Sequence, residues 1–231
     1  MKILASNSDE VNLLINMPYT QEEKLHCFSS VLHLDNFDLY YNDTDHGGGL
    51  ILKDNFVEVI DKFYGKKHFK SCLEWCAGPG FIGFNLLDKQ YITSLDLLDC
   101  SINAVNSCNK TIENMSINYD INVFCDTTIK NIDKKYDLIV GNPPWYSKLL
   151  LKENGLNRIY CDLDFMIHRD FFVHAEKILN TNGRIILVEG LYASHPKDFD
   201  LSASTLEIEK IIKFDNNDFW HDCYIMIIKR K

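Results

Sequence analysis

The chain has 231 residues, enough for one α/β domain with a small extension and a hydrophobic core that needs no disulfide bonds. Its formal net charge is -9 at pH 7. This acidity argues against a broad phosphate-binding surface, and hence against extended duplex DNA as a partner, although it leaves room for a local basic cleft.

The eight cysteines are scattered along the chain, several of them inside apolar runs, which indicates reduced intracellular thiols rather than a disulfide framework. Cys72 and Cys76 lack the paired CxxC spacing of a zinc site, so no metal is predicted. There is no apolar amino-terminal signal segment and no run of 18 apolar residues. The sequence therefore predicts a cytoplasmic protein without a membrane partner.

Residues 1–49 are predicted to form an amino-terminal extension. Apolar residues at helical spacing predict a helix over 9–17 and a shorter helical segment over 21–28. Two short alternating runs, 31–34 and 37–41, are separated by a tight turn and predict a β-hairpin.

A loop containing His46 and three consecutive glycines (47–49) follows the hairpin. Such a loop either approaches a ligand with its backbone or serves as a flexible hinge, and the sequence leaves both interpretations open. The amphipathic run 50–63 then predicts the first helix of a catalytic domain that extends over 50–231.

Residues 71–87 predict a strand, a glycine-rich turn (76–80) and the start of a helix. Gly78 and Gly80 let the backbone pass close to a ligand, and Gly83 allows the helix to pack closely on the strand. The match to the dinucleotide fingerprint GxGxxG is partial and is weak by itself.

Acidic residues follow each of the next two predicted strands. Asp96 and Asp99 lie just beyond a strand over 91–95, and Asp126 ends a strand over 121–126. An acid about 20 residues past the glycines can accept both hydroxyl groups of a ribose. The other interpretation of Asp126 is a cap on the following turn.

Leu138, Ile139 and Val140 predict a fourth, buried parallel strand, and Asn142-Pro-Pro-Trp145 follows it. Two successive prolines cannot continue a strand ladder, so the chain leaves the sheet at Asn142. Open α/β sheets bind ligands at the carboxyl ends of their strands. The Asn142 side-chain oxygen and the carbonyl groups of this stiff turn suit a planar NH2 group stacked on Trp145.

Asn-Pro-Pro-aromatic at the end of a fourth strand resembles the catalytic motif of class I S-adenosylmethionine (SAM)-dependent N-methyltransferases. These include the HemK-like protein-glutamine enzymes and several adenine and ribosomal RNA guanine enzymes. Glu74 and the glycine turn resemble the [DE]-x-G-x-G-x-G pattern of the same enzymes, with Cys76 in place of the first glycine. The resemblance covers about 50–229. It implies an α/β, Rossmann-like fold with the seven-stranded class I methyltransferase sheet, preceded by a helix and a β-hairpin.

The resemblance also implies a role for each motif in binding SAM as the cofactor. In the family, the turn backbone packs on the amino-acid part of SAM, and the first acid contacts its ammonium group. The strand-two acid holds the ribose, and the strand-three acid accepts from the adenine amine. The cofactor-binding residues implied here are Glu74, Cys76, Ala77, Gly78, Gly80, Asp99, Cys100, Asp126, Thr127 and Asn142. Asp99 is the predicted ribose acid because it matches Asp-x-[Ser/Asn]-x-x-Ala, and Asp96 is the alternative.

The acceptor side follows from the same resemblance. The implied catalytic residues are Asn142, Pro143 and Trp145: two oxygens hold the NH2 hydrogens, and an aromatic ring stacks on the acceptor plane. The implied substrate-binding residues are Pro144, Tyr146 and His46. Because the methyl group is already activated, the main task is orientation, and no strong general base is required.

Beyond this motif, residues 146–159 are predicted to form an acceptor-side loop. Apolar periodicity predicts a helix over 164–179 that ends at Asn182 and Gly183. His168, Arg169 and Asp170 lie either near the site or on the charged surface of this helix, and the surface interpretation is favoured. Three strands follow, over 184–189, 206–214 and 223–229, and the last two are expected to close the sheet as an antiparallel pair.

The predicted function is SAM-dependent N-methylation of a planar amide or amine nitrogen. The acidic charge and the short extension lean towards a protein side chain of the glutamine type, or a small molecule, as the acceptor. The alternative is N-methylation of an RNA or DNA base, for which the same motif is used. A SAM-binding but catalytically idle scaffold subunit and a dinucleotide-dependent oxidoreductase are further alternatives.

Overall fold

The structure is a computed structural model that describes residues 2–3, 28–43, 48–66, 68–116, 118–148, 150–152, 155–156, 158–199, 201–213 and 223–231. The helix predicted over 9–17 lies outside the described residues. The same holds for residues 21–27 of the segment predicted over 21–28, and for the predicted substrate-binding residue His46.

Twelve strands and four α-helices occur in the described part of the chain. In chain order they are β1 (Lys2–Ile3), β2 (Ser30–His33), β3 (Asp38–Tyr41), α1 (Gly49–Tyr64), β4 (Phe69–Trp75), α2 (Phe81–Asp88), β5 (Ile92–Asp99), α3 (Ile102–Glu113), β6 (Asp120–Cys125), β7 (Tyr136–Gly141), β8 (Leu150–Lys152), β9 (Gly155–Leu156), α4 (Met166–Ile178), β10 (Leu179–Gly190), β11 (Leu206–Lys213) and β12 (Cys223–Arg230). Short 3-10 turns occur at Arg158–Tyr160, Leu163–Phe165 and Pro196–Asp198.

Seven of these strands form one mixed sheet in the order β11-β12-β10-β7-β4-β5-β6. The five strands from β10 to β6 are parallel to one another, and β12 pairs antiparallel with both β10 and β11. This arrangement confirms the predicted Rossmann-like α/β fold, including its antiparallel closing pair and the hairpin of β2 and β3. The carboxyl ends of β4, β5, β6 and β7 therefore lie side by side at one edge.

Successive residues of the central strands alternate between two hydrophobic cores. Cys72 and Leu138 belong to the core covered by α1, α2 and α3, whereas Leu73 and Ile139 belong to the core covered by α4. Because successive side chains of a strand point to opposite faces, a sheet covered on both sides needs apolar residues at consecutive positions. That requirement explains the continuous apolar run in β7.

The hairpin packs against the helices on one face of the main sheet rather than standing apart from them. Leu39 is fully buried in the core on the α1 face. The backbone N–H of Asn36 donates to the Asp88 carboxylate at the end of α2 (2.8 Å), and that of Tyr40 donates to the Thr111 hydroxyl of α3 (2.9 Å). The predicted domain boundary at residue 49 stays a prediction.

Three predicted elements differ from the structure. Strand β5 continues past Leu95 to Asp99, because Leu97 and Leu98 pair with neighbours on both sides. Helix α4 ends at Ile178 rather than at 182–183, since Leu179 already pairs with β7. The predicted loop 146–159 contains β8 and β9, and β8 pairs with β1. None of the described helices is long and apolar enough to cross a membrane.

Candidate active site

Glu74 lies beneath the glycine turn and is almost completely buried. One carboxyl oxygen accepts from the N–H of Gly83 at 2.7 Å and the other from that of Ile82 at 3.3 Å. Burial raises the pKa of Glu74 to about 8, although the two backbone hydrogen bonds oppose this shift. Glu74 therefore holds the first turn of α2 against β4, which fixes the glycine turn between them.

The turn itself takes a left-handed backbone at three positions. Cys76 has φ 54°, Gly78 φ 52° and Gly80 φ 81°. A Cβ on Gly80 would also come within 2.7 Å of the Phe84 ring. Cys76, the residue that departs from the family's glycine pattern, thus sits where glycine is conformationally favoured.

Asp99 lies at the carboxyl end of β5, next to this turn. Its carboxylate accepts from Gly78 N at 2.7 Å and from Ser101 N at 2.8 Å. Burial raises the pKa of Asp99, and hydrogen bonds from Ser101 and Gly78 counteract that effect. These contacts fix the carboxylate at the edge of the sheet where ligands bind in this fold.

Asp96, the alternative ribose acid, is engaged elsewhere. Its carboxylate accepts from the hydroxyl of Tyr136 at 2.6 Å, from Lys134 Nζ at 3.1 Å and from the Asn122 amide at 2.9 Å. All three partners belong to the interior of the sheet or to its amino-terminal side, and Asp96 itself is buried.

Asp126 lies beside Asp99 on the neighbouring strand end, and its N–H donates to the Asp99 carbonyl at 3.1 Å. One carboxylate oxygen of Asp126 accepts from the N–H groups of Thr127 (2.7 Å) and Thr128 (3.2 Å). Asp126 therefore caps the following turn, and it does so with one of its two carboxylate oxygens. A carboxylate has about four acceptor sites, so this cap is compatible with a ligand contact. Cys100, which follows Asp99 in the sequence, is exposed.

Asn142 leaves the sheet at the end of β7, directly beside the start of the glycine turn. A Cβ on the preceding Gly141 would lie 2.7 Å from the Trp75 carbonyl oxygen, which shows how closely β7 and β4 approach here. The side-chain oxygen of Asn142 is buried. A Cβ on Gly48 would lie 3.8 Å from Asn142 Nδ2, so the first described residue of the glycine loop borders this amide.

Trp145 is held against β10. Its indole Nε1–H donates to the Val188 carbonyl at 3.0 Å, and a Cβ on Gly190 would come within 2.9 Å of its ring. Between Asn142 and Trp145, Pro143 is buried and Pro144 is half-buried. The indole thus has a fixed position and remains partly accessible.

Tyr146 is fixed through its backbone. Its N–H donates to the Tyr160 carbonyl at 3.0 Å, and its own carbonyl accepts from Asp162 N at 2.9 Å. These two bonds attach the end of the motif to the segment that leads into α4.

The sequence interpretation missed a buried ionic cluster close to residues 142–146. His168, interpreted as helix surface, is completely buried, and its ring nitrogens face Asp162 (2.5 Å) and Glu189 (3.0 Å). The sequence signal for Glu189 is its position as an acid at the end of the predicted strand 184–189. No local pattern links the three, because the partners are 6 and 21 residues from His168. In the described part of the chain, no group of three or more His, Cys, Asp or Glu side chains could hold a metal ion.

The polar groups at this edge complement the hydrogen-bond donors of an adenosine-based cofactor. Two acids at adjacent strand ends, Asp99 and Asp126, are acceptors suited to ribose hydroxyls and to an adenine amine. Beside them lies the turn 76–80, in which Cys76, Gly78 and Gly80 have a left-handed backbone. The chemistry of these residues therefore fits SAM.

Comparison with known proteins identifies relatives. The sequence model of the family "Methyltransferase small domain" matches residues 53–198. "Ribosomal RNA small subunit methyltransferase C" of Psychromonas ingrahamii is 25% identical over 217 residues, covering 84% of this chain and 55% of that protein. A tRNA1(Val) (adenine(37)-N6)-methyltransferase of Flavobacterium johnsoniae is 25% identical over 142 residues, covering 57% and 59%. The chain spans about half the length of the curated relatives it matches.

Among solved structures, a 16S rRNA N2 methyltransferase of T. thermophilus, in complex with AdoMet and guanosine, has a TM-score of 0.58 at 12% identity. The alignment covers 87% of this chain and 50% of that one. At this identity the similarity establishes the fold.

Proposed function

The chain belongs to the methyltransferase small domain family, and from that premise we propose that it transfers a methyl group from SAM to an exocyclic amino group of a base in RNA. The observation that carries the proposal is the position of Asn142-Pro143-Pro144-Trp145 at the end of β7, next to the glycine turn between β4 and α2. This position would bring an NH2 acceptor and the methyl donor to the same edge of the sheet.

Bound SAM supplies a methyl group already activated on a sulfonium centre. In the proposal, Gly78, Gly80 and the backbone of Cys76 and Ala77 lie along its amino-acid part. Asp99 accepts from the ribose hydroxyls, with Cys100 at the same strand end. Asp126, with Thr127 beside it, receives the adenine amine. Glu74 acts mainly by holding the turn, because its two oxygens already accept from α2.

On the acceptor side, the Asn142 oxygen and the Pro143 carbonyl accept the two hydrogens of the NH2 group. These acceptors would hold the nitrogen so that it becomes pyramidal and positively charged as it bonds to the methyl carbon, while the methyl carbon–sulfur bond breaks and the sulfur leaves as a neutral thioether. Trp145 provides a flat surface whose orientation is fixed by Val188 and Gly190. The proton is then lost to solvent, since the alkylated nitrogen is acidic.

Relatives named for ribosomal RNA and tRNA methylation favour a nucleic acid over the protein-glutamine acceptor that was the main sequence prediction. One structural feature also supports a base. Tyr192, two residues beyond the end of β10, is 79% exposed, while Gly190 contacts Trp145. An exposed aromatic ring beside an acceptor site is suited to stacking on an unpaired nucleotide.

The acidic charge of the chain agrees with a local, unpaired RNA target better than with a long duplex. Affinity for a duplex depends on many phosphate contacts, and a net charge of -9 disfavours them. Recognition of an unstacked base depends instead on aromatic stacking and on hydrogen bonds to its edge.

The test is methyl transfer from labelled SAM into fractionated extract of the source cells, with fractions treated by ribonuclease, deoxyribonuclease or protease. Asn142→Ala is compared with wild type, and Asn114→Ala serves as the control because Asn114 lies at the end of α3, where its side-chain amide donates to the Lys110 carbonyl. We expect ribonuclease-sensitive label that falls about 100-fold in Asn142→Ala and persists in Asn114→Ala.

Digestion of labelled RNA to nucleosides would then identify the methylated base as an adenine or guanine amine. Protease-sensitive label would restore the protein acceptor. SAM binding with no label in any fraction would favour the idle scaffold, and binding of NAD instead of SAM would favour the oxidoreductase.

A further inference from the structure

The buried ionic cluster is defined by Asp162, His168 and Glu189, and the proposed chemistry leaves it without a role. All three side chains are fully buried. The two ring nitrogens of His168 lie 2.5 Å from Asp162 Oδ2 and 3.0 Å from Glu189 Oε1. Carboxylates are acceptors, so a ring that donates to both is an imidazolium.

The rest of the surroundings either supports the carboxylates or is apolar. Asp162 also accepts from the N–H groups of Ile167 (2.8 Å) and His168 (3.0 Å), and Glu189 accepts from the Ser194 hydroxyl (2.7 Å). Aromatic rings cover the imidazole: Phe199 stacks on it, and Trp75 meets it edge-on. Removing one partner of a buried charge strongly destabilises the folded protein. The positions of Asp162, His168 and Glu189 are therefore fixed relative to one another.

Each end of the cluster reaches the acceptor strip, residues 142–146. Asp162 donates its backbone N–H to the Tyr146 carbonyl at 2.9 Å. Glu189 lies between Val188, whose carbonyl accepts from the Trp145 indole, and Gly190, against which the same ring packs. His168 thus connects the segment that holds Tyr146 to the strand that holds Trp145.

We propose that His168 is a positioning residue for the acceptor: by bridging Asp162 and Glu189 it sets the relative position of Trp145 and Tyr146, and hence the plane in which the acceptor base lies. Loss of the bridge lets β10 and the segment 160–164 shift independently. Misplacement of reacting atoms by about 1 Å can slow a reaction about 100-fold, even when the altered residue is far from the chemistry. The catalytic consequence rests on the proposed function, whereas the structural linkage does not.

The first arm of the test is therefore independent of the acceptor. Hydrogen exchange of the Trp145 indole Nε1–H is followed by NMR, with its signal among the three tryptophans assigned by Trp145→Phe. His168→Gln is compared with Tyr136→Phe, a control that also removes a buried side-chain hydrogen bond but at the opposite end of β7. We expect exchange at Trp145 to accelerate at least about tenfold in His168→Gln and to stay unchanged in Tyr136→Phe.

Ser194→Ala removes one hydrogen bond of Glu189 and serves as the milder variant should His168→Gln fail to fold; a smaller acceleration at Trp145 is expected there. Unchanged exchange at Trp145 in the folded variants would overturn the inference, as would an equal acceleration in Tyr136→Phe.

The second arm measures methyl transfer. His168→Gln should reduce kcat/KM for the acceptor about 10- to 100-fold and leave the SAM Kd within a factor of three. In a double variant with Trp145→Ala, the His168 effect should largely disappear, since both changes act through the same ring. Fully multiplicative effects would contradict the positioning role. If wild-type protein labels no acceptor while Trp145 exchange responds as expected, the proposed function fails and the linkage stands.

Discussion

The N–H of Gly78 donates to Oδ2 of Asp99 across 2.7 Å, so a hydrogen bond from the glycine turn holds the carboxylate at the end of β5. This bond orients the carboxylate before any ligand arrives, and a pre-oriented acceptor loses less entropy on binding. Asp96 differs from Asp99 in this respect, because its partners Asn122 and Tyr136 lie within the sheet.

Asp99→Asn should weaken SAM binding about 10- to 100-fold, because a hydrogen bond to a charged acceptor contributes about 1.5–3 kcal/mol. Asp96→Asn should instead lower stability by about 2 kcal/mol, since the Tyr136 hydroxyl and Lys134 lose a charged partner. Calorimetric Kd values and thermal unfolding of both variants distinguish these outcomes. A SAM Kd that rises in Asp96→Asn and not in Asp99→Asn would reverse the assignment.

Cys76→Gly should stabilise the protein by about 1 kcal/mol, since a non-glycine residue at positive φ is strained by about that amount. Cys100→Gly is the matched control because Cys100 is exposed and has no positive φ, so there the flexibility of glycine should destabilise by about 0.5–1 kcal/mol. Urea denaturation measures both. Equal destabilisation by the two substitutions would show that the turn stores no strain at Cys76.

His168 should make stability depend on pH. Burial alone would lower its pKa, but the charges and hydrogen bonds of Glu189 and Asp162 outweigh burial and raise the pKa to about 9. The unfolded chain releases this proton near pH 6.5 and the folded protein keeps it to about pH 9, so the contribution is complete below pH 6.5 and is lost as pH rises through about 9.

The free energy of unfolding of wild type relative to His168→Gln should therefore fall by about 3 kcal/mol between pH 6 and 10. Taking the difference cancels the contribution of Glu74, whose raised pKa of about 8 is present in both proteins. Denaturation curves across this range provide the measurement, and parallel pH profiles for the two proteins would disprove the linkage.

Tyr192→Ala should raise the KM for an RNA acceptor about 5- to 100-fold, because stacking of one base on an aromatic ring contributes about 1–3 kcal/mol. Tyr192→Phe and Tyr192→Trp keep the flat ring and should retain the wild-type KM. A free nucleoside has no neighbouring base, so its methylation should not change in any of these variants. Equal losses with RNA and with nucleoside would assign Tyr192 to the target base itself or to the fold.

Local chemistry in the sequence was sufficient for the main architecture. Continuous apolar runs predicted buried parallel strands, two prolines after Asn142 ended β7, and the glycines of 76–80 marked the turn into α2. These features depend on neighbours a few residues apart, through side-chain alternation and the restricted φ of proline. Predicted and observed boundaries agree within one or two residues for β7, α1 and the closing antiparallel pair.

The ends of strands and helices depended on contacts between residues that are distant in the sequence. Strand β5 reaches Asp99 because β4 and β6 pair with it on both sides, and that pairing placed Asp99 beside Gly78 and left Asp96 inside the sheet. His168 looked like a surface residue since its partners, Asp162 and Glu189, come from other segments. Only the tertiary structure brings these three charges together, because a buried charge is tolerated when long-range contacts surround it with partners, and local sequence patterns do not encode such contacts.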